Sequence, residues 1–195
     1  MIKLKNVTKR FGDKLLLDRV DLEIAAGESV ALTGASGIGK TTLARILLGL
    51  ERDFEGEISG LPEKRACVFQ EDRLLLQLTA GDNVRFVVPE IADDRLREAF
   101  RRLGLESDID SNVEKLSGGM RRRVSILRAL LSDAELIVMD EPMKGLDAEI
   151  ARQTADYCRE MLQGRTLVYI THAPEELGWM GVKRVLRMEN AKIEG

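Results

Sequence analysis

Cysteine is scarce in this chain. Cys67 and Cys158 stand far apart with no Cys-x-x-Cys spacing, so they read as two reduced, buried thiols of a reducing cytosol rather than a disulfide framework. Aromatic residues make up 4% and offer few platforms on which nucleic-acid bases could stack, so no nucleic-acid partner is expected. No apolar run approaches the roughly 18 residues of a membrane span. Lysines in the opening Met-Ile-Lys-Leu-Lys-Asn stand where the apolar part of a secretory leader would be, so the expectation is a chain neither inserted nor exported. An excess of one charge is missing too. Thirty Lys and Arg against thirty-three Asp and Glu leave a net charge of -3, so no global field draws the chain to polyanions, and any polyanion must be held locally. No internal repeat, low-complexity tract or Pro/Gly-rich linker divides the 195 residues. With 44% hydrophobic and 32% charged residues, the composition is that of one folded domain with a real core.

The hydrophobic pattern opens as β structure. Ile2, Leu4, Val20, Leu22 and Ile24 alternate with charged residues, the period of half-buried antiparallel strands. Ser29–Thr33 then reads as a buried strand ending at Gly34, and Thr42–Leu48 takes helical spacing closed by Gly49. A hairpin-like Glu57–Gly60 and an apolar run Ala66–Phe69 follow. Leu96, Ala99, Phe100 and Leu103 predict a helix stopped by Gly104, and Ser117 to about Leu131 predicts another. Leu136–Met139 and Leu167–Ile170 read as buried strands on either side of a helix through Ile150 and Met161, and Arg184–Met188 is strand-like. Alternating strands and helices imply an α/β domain over 1–195, with a mainly parallel sheet core, an antiparallel β N-terminal part and a helical lobe inserted at about 73–133.

Three sites carry chemistry. Gly34-Ala35-Ser36-Gly37-Ile38-Gly39-Lys40-Thr41 fits G-x-x-x-x-G-K-S/T and sits where the mechanism requires, after a strand and opening a helix with Thr42. Its glycines let backbone N–H groups curl around phosphate oxygens, the helix start adds partial positive charge, and Lys40 adds a full one. Thr41 offers a hydroxyl to Mg2+. The chain is therefore expected to be a P-loop NTPase that binds a nucleotide's β and γ phosphates with Mg2+. Asp140 and Glu141 end a buried strand, where open α/β sheets bind ligands. Asp140 would meet the same Mg2+, and Glu141 would orient or deprotonate an attacking water. The alternative is an acidic pair capping a strand in solvent. His172, the single histidine, stands past another strand end and could donate to a γ-phosphate.

Taken with Leu116-Ser117-Gly118-Gly119-Met120, these residues resemble the ATP-binding-cassette (ABC) ATPases over almost the whole chain. The resemblance implies that Ser117, Gly118, Gly119 and Met120 form the signature that meets ATP held by a second protomer, so a head-to-tail dimer is expected. It also implies that Phe11, in Lys9-Arg10-Phe11-Gly12, stacks on adenine. Gln70 would contact Mg2+, the attacking water and the membrane partner; Asp147 would lie in the loop joining the two sites; His172 would be the switch histidine. The function implied is that of the ATPase subunit of a transporter, an importer, peripheral on the cytoplasmic face of the membrane and partnered by a permease and a solute-binding protein. Phe69-Gln-Glu-Asp-Arg and Leu-Ser-Gly-Gly-Met-Arg look like the nitrate/sulfonate/taurine branch.

Lys144 departs from the resemblance, since its position is usually small, and the segment from Gly49 to Gln70 is abbreviated. Arg121, Arg122 and Arg123 read as a solvated helix surface or as a contact with partner or nucleotide, the first favoured. Trp179 is open between core and subunit contact. Two rival functions remain: a non-transport ABC ATPase of repair, translation or assembly, and a nucleotide-binding regulatory module that does not hydrolyse. The stretch from Gly39 to Ser117 is too short for a long coiled coil, and Glu141 and His172 argue for hydrolysis.

Overall fold

The computed structural model describes residues 1–195. In chain order the first elements are β1 (Ile2–Phe11), β2 (Lys14–Ile24), β3 (Ser29–Thr33), α1 (Lys40–Leu47), β4 (Glu55–Ser59), β5 (Arg65–Val68), α2 (Ala80–Arg85) and α3 (Asp93–Arg102). There follow α4 (Gly118–Leu131), β6 (Leu136–Asp140), α5 (Ala148–Met161), β7 (Thr166–Ile170), α6 (Pro174–Met180), β8 (Arg184–Glu189) and β9 (Lys192–Glu194).

The alternating N-terminal residues form one antiparallel sheet of order β2-β1-β4. Its buried side, Ile2, Leu4, Val7, Val20, Leu22 and Ile24, meets the apolar face of α1. The continuous apolar runs form a second sheet of order β5-β6-β7-β3-β8-β9, parallel except for β9. Both its faces are covered, as the runs require. In β6, Leu136 and Val138 enter the core shared with the first sheet, while Ile137 and Met139 face the helices. The next strand repeats this with Val168 and Ile170 on one side and Leu167 and Tyr169 on the other. Between β5 and β6 every element is helical, and Val84, Leu96, Phe100 and Leu127 pack there with α5 in one core.

Several predicted elements differ. The first helix begins at Lys40 rather than Thr42, because the glycine loop runs straight into its first turn. Glu57–Gly60 is no hairpin; β4 adds to the far edge of β1, and β5 belongs to the other sheet. The helices α2 and α6, of 6 and 7 residues, and the 3-residue β9 are not predicted by the sequence pattern, since such short pieces display too little periodicity. Cys158 is fully buried, whereas Cys67 is only half-buried; burial pushes both thiols up to about 12. Trp179 is half-buried against the helical core. No helix is long and apolar enough to cross a membrane.

The topology sets out the site. Strands β5, β6, β7 and β3 lie side by side and parallel, so the segments that follow them leave from one edge. Those segments carry Gln70, Glu141, His172 and the Gly34 loop, at the carboxyl edge where open α/β sheets hold ligands.

Candidate functional site

At that edge an open pocket of about 700 Å3 is lined by Ala35, Ser36, Gly37, Gly39, Lys40, Thr41 and Thr42 from the glycine loop and helix start. Gln70, Asp140, Glu141 and His172 line it from the neighbouring strand ends, with Lys14, Leu16 and Lys144 completing the wall. The glycine loop is built for close approach. Gly34 has φ 142 and a Cβ there would lie 2.6 Å from the Met188 carbonyl oxygen; Gly39 has φ 121 and would meet the Leu16 carbonyl oxygen at 2.9 Å. No side chain caps α1, so the first N–H groups of that helix stay free for an acceptor from outside.

A direct stability prediction follows from that backbone. Gly39→Ala forces a β-carbon into a strained φ region and against backbone, a cost of about 1–3 kcal/mol. At about 2–4 °C per kcal/mol for a domain of this size, the melting temperature should fall by roughly 2–12 °C. Gly118→Ala is the control: nothing lies within 4 Å of its added Cβ, and its melting temperature should match the parent. Equal melting of the two variants by calorimetry would refute the assignment of strain to Gly39.

Lys40 is buried, 6% exposed, and its Nζ donates to the carbonyl oxygens of Gly34 and Ala35, both at 2.8 Å. Burial lowers the pKa of this ammonium, with Asp140 and Glu141 opposing. Thr41 Oγ1 donates to Asp140 Oδ2 at 2.8 Å. Asp140 is itself buried, and that burial pushes its carboxyl above the ordinary carboxylate range; Glu141 adds to the rise, while the Thr41 bond, Lys40 and Arg122 oppose it. A hydroxyl, a buried carboxylate and the Gln70 side chain, all lining this pocket, offer the hard oxygen donors that suit Mg2+. Nowhere do three or more His, Cys, Asp or Glu gather to hold a metal unaided, so a cation here would draw its remaining oxygens from phosphate and water.

Glu141 adopts φ 49, a left-handed conformation that is an outlier for a side chain of this size, and its N–H donates to the Ile170 carbonyl at 2.8 Å. Its carboxylate is flanked on both oxygens: Lys144 Nζ lies 2.6 Å from Oε2 and His172 Nε2 lies 3.4 Å from Oε1. His172 is steadied by a local turn in which the Ala173 N–H donates to Thr171 Oγ1 at 3.0 Å. The Lys144 side chain thus meets Glu141 directly, a contact its departure from the family pattern did not foretell.

The remaining predicted residues lie outside this pocket. Phe11 is 53% exposed at the end of β1, paired with Lys14 of β2 and under the Lys9 ammonium at 4.7 Å; Lys14 and Leu16 of the same hairpin do reach the pocket wall. Gly34 and Ile38 shape the loop from behind. Ser117 caps α4, accepting the Met120 N–H at 3.3 Å, and Ser117 and Gly118 are exposed at that helix start with none of Ser117–Met120 in the pocket. Asp147 caps α5 by accepting from Ile150 N–H at 3.0 Å and is exposed. Of the basic run, Arg121 and Arg123 are partly exposed, but Arg122 is 3% exposed. The solvated reading fails for Arg122 because helical phase turns it inward with Ile126 and Ala129.

Similarity to known proteins agrees with this geometry. A family model described as ABC transporter matches residues 17–144. The Fe(3+) ions import ATP-binding protein FbpC of Escherichia coli O157:H7 is 34% identical over 193 residues, covering 90% of this chain and 56% of its own length. The spermidine/putrescine import ATP-binding protein PotA of Lawsonia intracellularis is 38% identical, covering 100% of this chain and 57% of its own length. The chain therefore spans little more than half the length of these curated relatives. Among solved structures, a dimeric post-hydrolysis state of the ATP-binding cassette MJ0796 bound to ADP and Pi superposes with a TM-score of 0.87 at 29% identity, covering 100% of this chain and 97% of the other.

Proposed function

The chain belongs to the ABC transporter family, and from that premise we propose that it is the ATP-binding, ATP-hydrolysing subunit of an importer, driving solute through a separate membrane subunit. The observation that carries the reading is the gathering of Lys40, Thr41, Gln70, Asp140, Glu141 and His172 in one pocket at the sheet's carboxyl edge. A triphosphate fits it by exchange. Lys40 gives up the Gly34 and Ala35 carbonyls for β- and γ-phosphate oxygens, and the uncapped start of α1 supplies N–H donors. Mg2+, when bound, would neutralise charge on the β- and γ-phosphates from a place beside Thr41, Asp140 and Gln70. Glu141 takes the proton of the attacking water on an oxygen that keeps accepting capacity beside its contact with Lys144 or His172. His172 and Lys40 stabilise the charge that develops on the transferring phosphoryl group.

Phe11 stacks on the adenine beside the β1–β2 hairpin. The Ser117–Met120 start of α4 is exposed away from its own pocket, which supports its use on the nucleotide of a second copy, with Asp147 joining the two sites. Two copies then sandwich two ATP molecules, as the dimeric MJ0796 cassette supports by analogy. The pair would sit on the cytoplasmic face of the membrane against a permease, with a solute-binding protein outside. The two relatives above are named for iron and for polyamines, so the solute is chosen by those other subunits. The wording Phe69-Gln-Glu-Asp-Arg and Leu-Ser-Gly-Gly-Met-Arg supports the nitrate/sulfonate/taurine branch as the first to test.

Affinity purification from the native membrane should retain a multi-span permease, and the purified chain should release phosphate from ATP. A chain that stays in the soluble fraction and binds RNA or DNA in a salt-sensitive way would overturn the transport assignment. ATP binding without phosphate release from either preparation would overturn hydrolysis.

A further inference from the structure

Arg122 lies five residues into the chain from Ser117, about 7 Å along the helix at 1.5 Å per residue. Its side chain is buried, yet its partners are oxygens, all but one of them backbone, of two separate loops. Nε donates to the Pro142 carbonyl at 2.9 Å; Nη2 donates to the carbonyls of Asp140 at 2.9 Å and Glu141 at 2.6 Å. Nη1 donates to the Phe69 carbonyl and lies 3.4 Å from both the Gln70 carbonyl and Asp72 Oδ1. All five N–H groups of the guanidinium are thereby used, and no other side chain hydrogen-bonds to both loops. The planar fork suits this task; a lysine ammonium, a point donor on a flexible stem, cannot span acceptors on two sides.

We propose that Arg122 is a positioning residue that ties the exposed Ser117 end of α4 to this protomer's own Gln70 and Glu141, so that docking of that end on a second protomer's nucleotide sets the placement of the first protomer's water-activating groups. The inference rests on the functional reading above, in which Ser117–Gly119 meets the partner's ATP. A helix is stiff along its axis, and a shift at Ser117 reaches Arg122 one and a half turns later. From there six backbone and side-chain oxygens carry it to both loops at once. Arg122 hydrogen-bonds to no residue of the glycine loop, so its removal should leave Lys40 and that loop in place.

The test is single-turnover phosphate release from ATP by the parent chain, Ser117→Ala, Arg122→Lys and the double variant, with Arg122→Gln as a second probe and Lys40→Ala as the dead control. Melting curves and ADP affinity report the fold and the P-loop separately. Arg122→Lys should lower the rate about tenfold, within the usual range of coupling between sites, with ADP affinity and KM for ATP near the parent's. Ser117→Ala should slow the parent strongly, through its own contact with the partner's ATP and through the link, and slow the Arg122→Lys chain by a smaller factor, because only the first route is left there. Rate losses that simply multiply, or an Arg122→Lys and Arg122→Gln pair as fast as the parent, would overturn the inference while leaving the ATPase reading intact. A parent chain no faster than Lys40→Ala would overturn both.

Discussion

Glu141→Gln should slow phosphate release by about 10^2- to 10^4-fold, the usual worth of a positioned general base, while ATP affinity stays near the parent's. The amide keeps the shape of the carboxylate and removes its capacity to take a proton. The backbone of Glu141 is held independently of its side chain, by its N–H on Ile170 at 2.8 Å and by Arg122 on its carbonyl, so the loop should keep its place. The substitution also breaks the ion pair with Lys144, whose side chain is 59% exposed. The Glu141 side chain is 18% exposed, so the pair is only partly open to water, but the amide oxygen of glutamine can still accept from Lys144, and the loss of turnover should not be a loss of fold. With binding intact and hydrolysis blocked, the ATP-bound dimer should accumulate, visible as a doubling of mass by light scattering. Near-normal turnover would remove Glu141 from the role of base.

Lys40→Ala should act at the earlier step. The two 2.8 Å bonds from Nζ to Gly34 and Ala35 show that the loop is already curled around an ammonium, and on the proposed reading those donors turn to phosphate when ATP binds. Charge-assisted hydrogen bonds contribute about 1.5–3 kcal/mol each, so losing two of them is expected to weaken ATP binding by at least about 10^2-fold. Turnover should become undetectable, and the rise in melting temperature that ATP produces in the parent should disappear, because that rise depends on binding to the folded state. Calorimetry showing unchanged ATP affinity would sink the P-loop assignment. The two variants therefore separate binding from chemistry: Glu141→Gln holds ATP and stalls, whereas Lys40→Ala fails to hold it.

Much of the site is legible in the amino-acid order, because its motifs are contiguous. Gly34–Thr41 is strand-end, turn and helix start in one unbroken stretch, and its glycines are demanded by local backbone geometry. Asp140 and Glu141 follow an apolar run whose burial on both faces can be read from its composition, and that run is β6. The lone histidine stands out by the same logic, at the end of β7. Where the pattern is short or its pairing distant, the sequence misleads. Glu57–Gly60 looks like a hairpin because alternation shows that a strand exists without showing its partner, and its partner is β1, about fifty residues earlier. Three elements of three to seven residues leave no readable period.

What the amino-acid order determined by itself was the class of the fold, the glycine loop before a helix, the carboxylate pair at a strand end and the near-balanced net charge of -3. The tertiary structure alone decided which charges are solvated and which are structural. Arg121, Arg122 and Arg123 are the same residue type in one run, yet only Arg122 is fully buried, because loops from β5 and β6 close over that side of α4. The Lys144 ammonium finds Glu141 because a left-handed backbone at Glu141 turns the chain back on itself there. Local chemistry is written in neighbouring residues; the cost of burying a charge is set by whatever the fold brings to cover it.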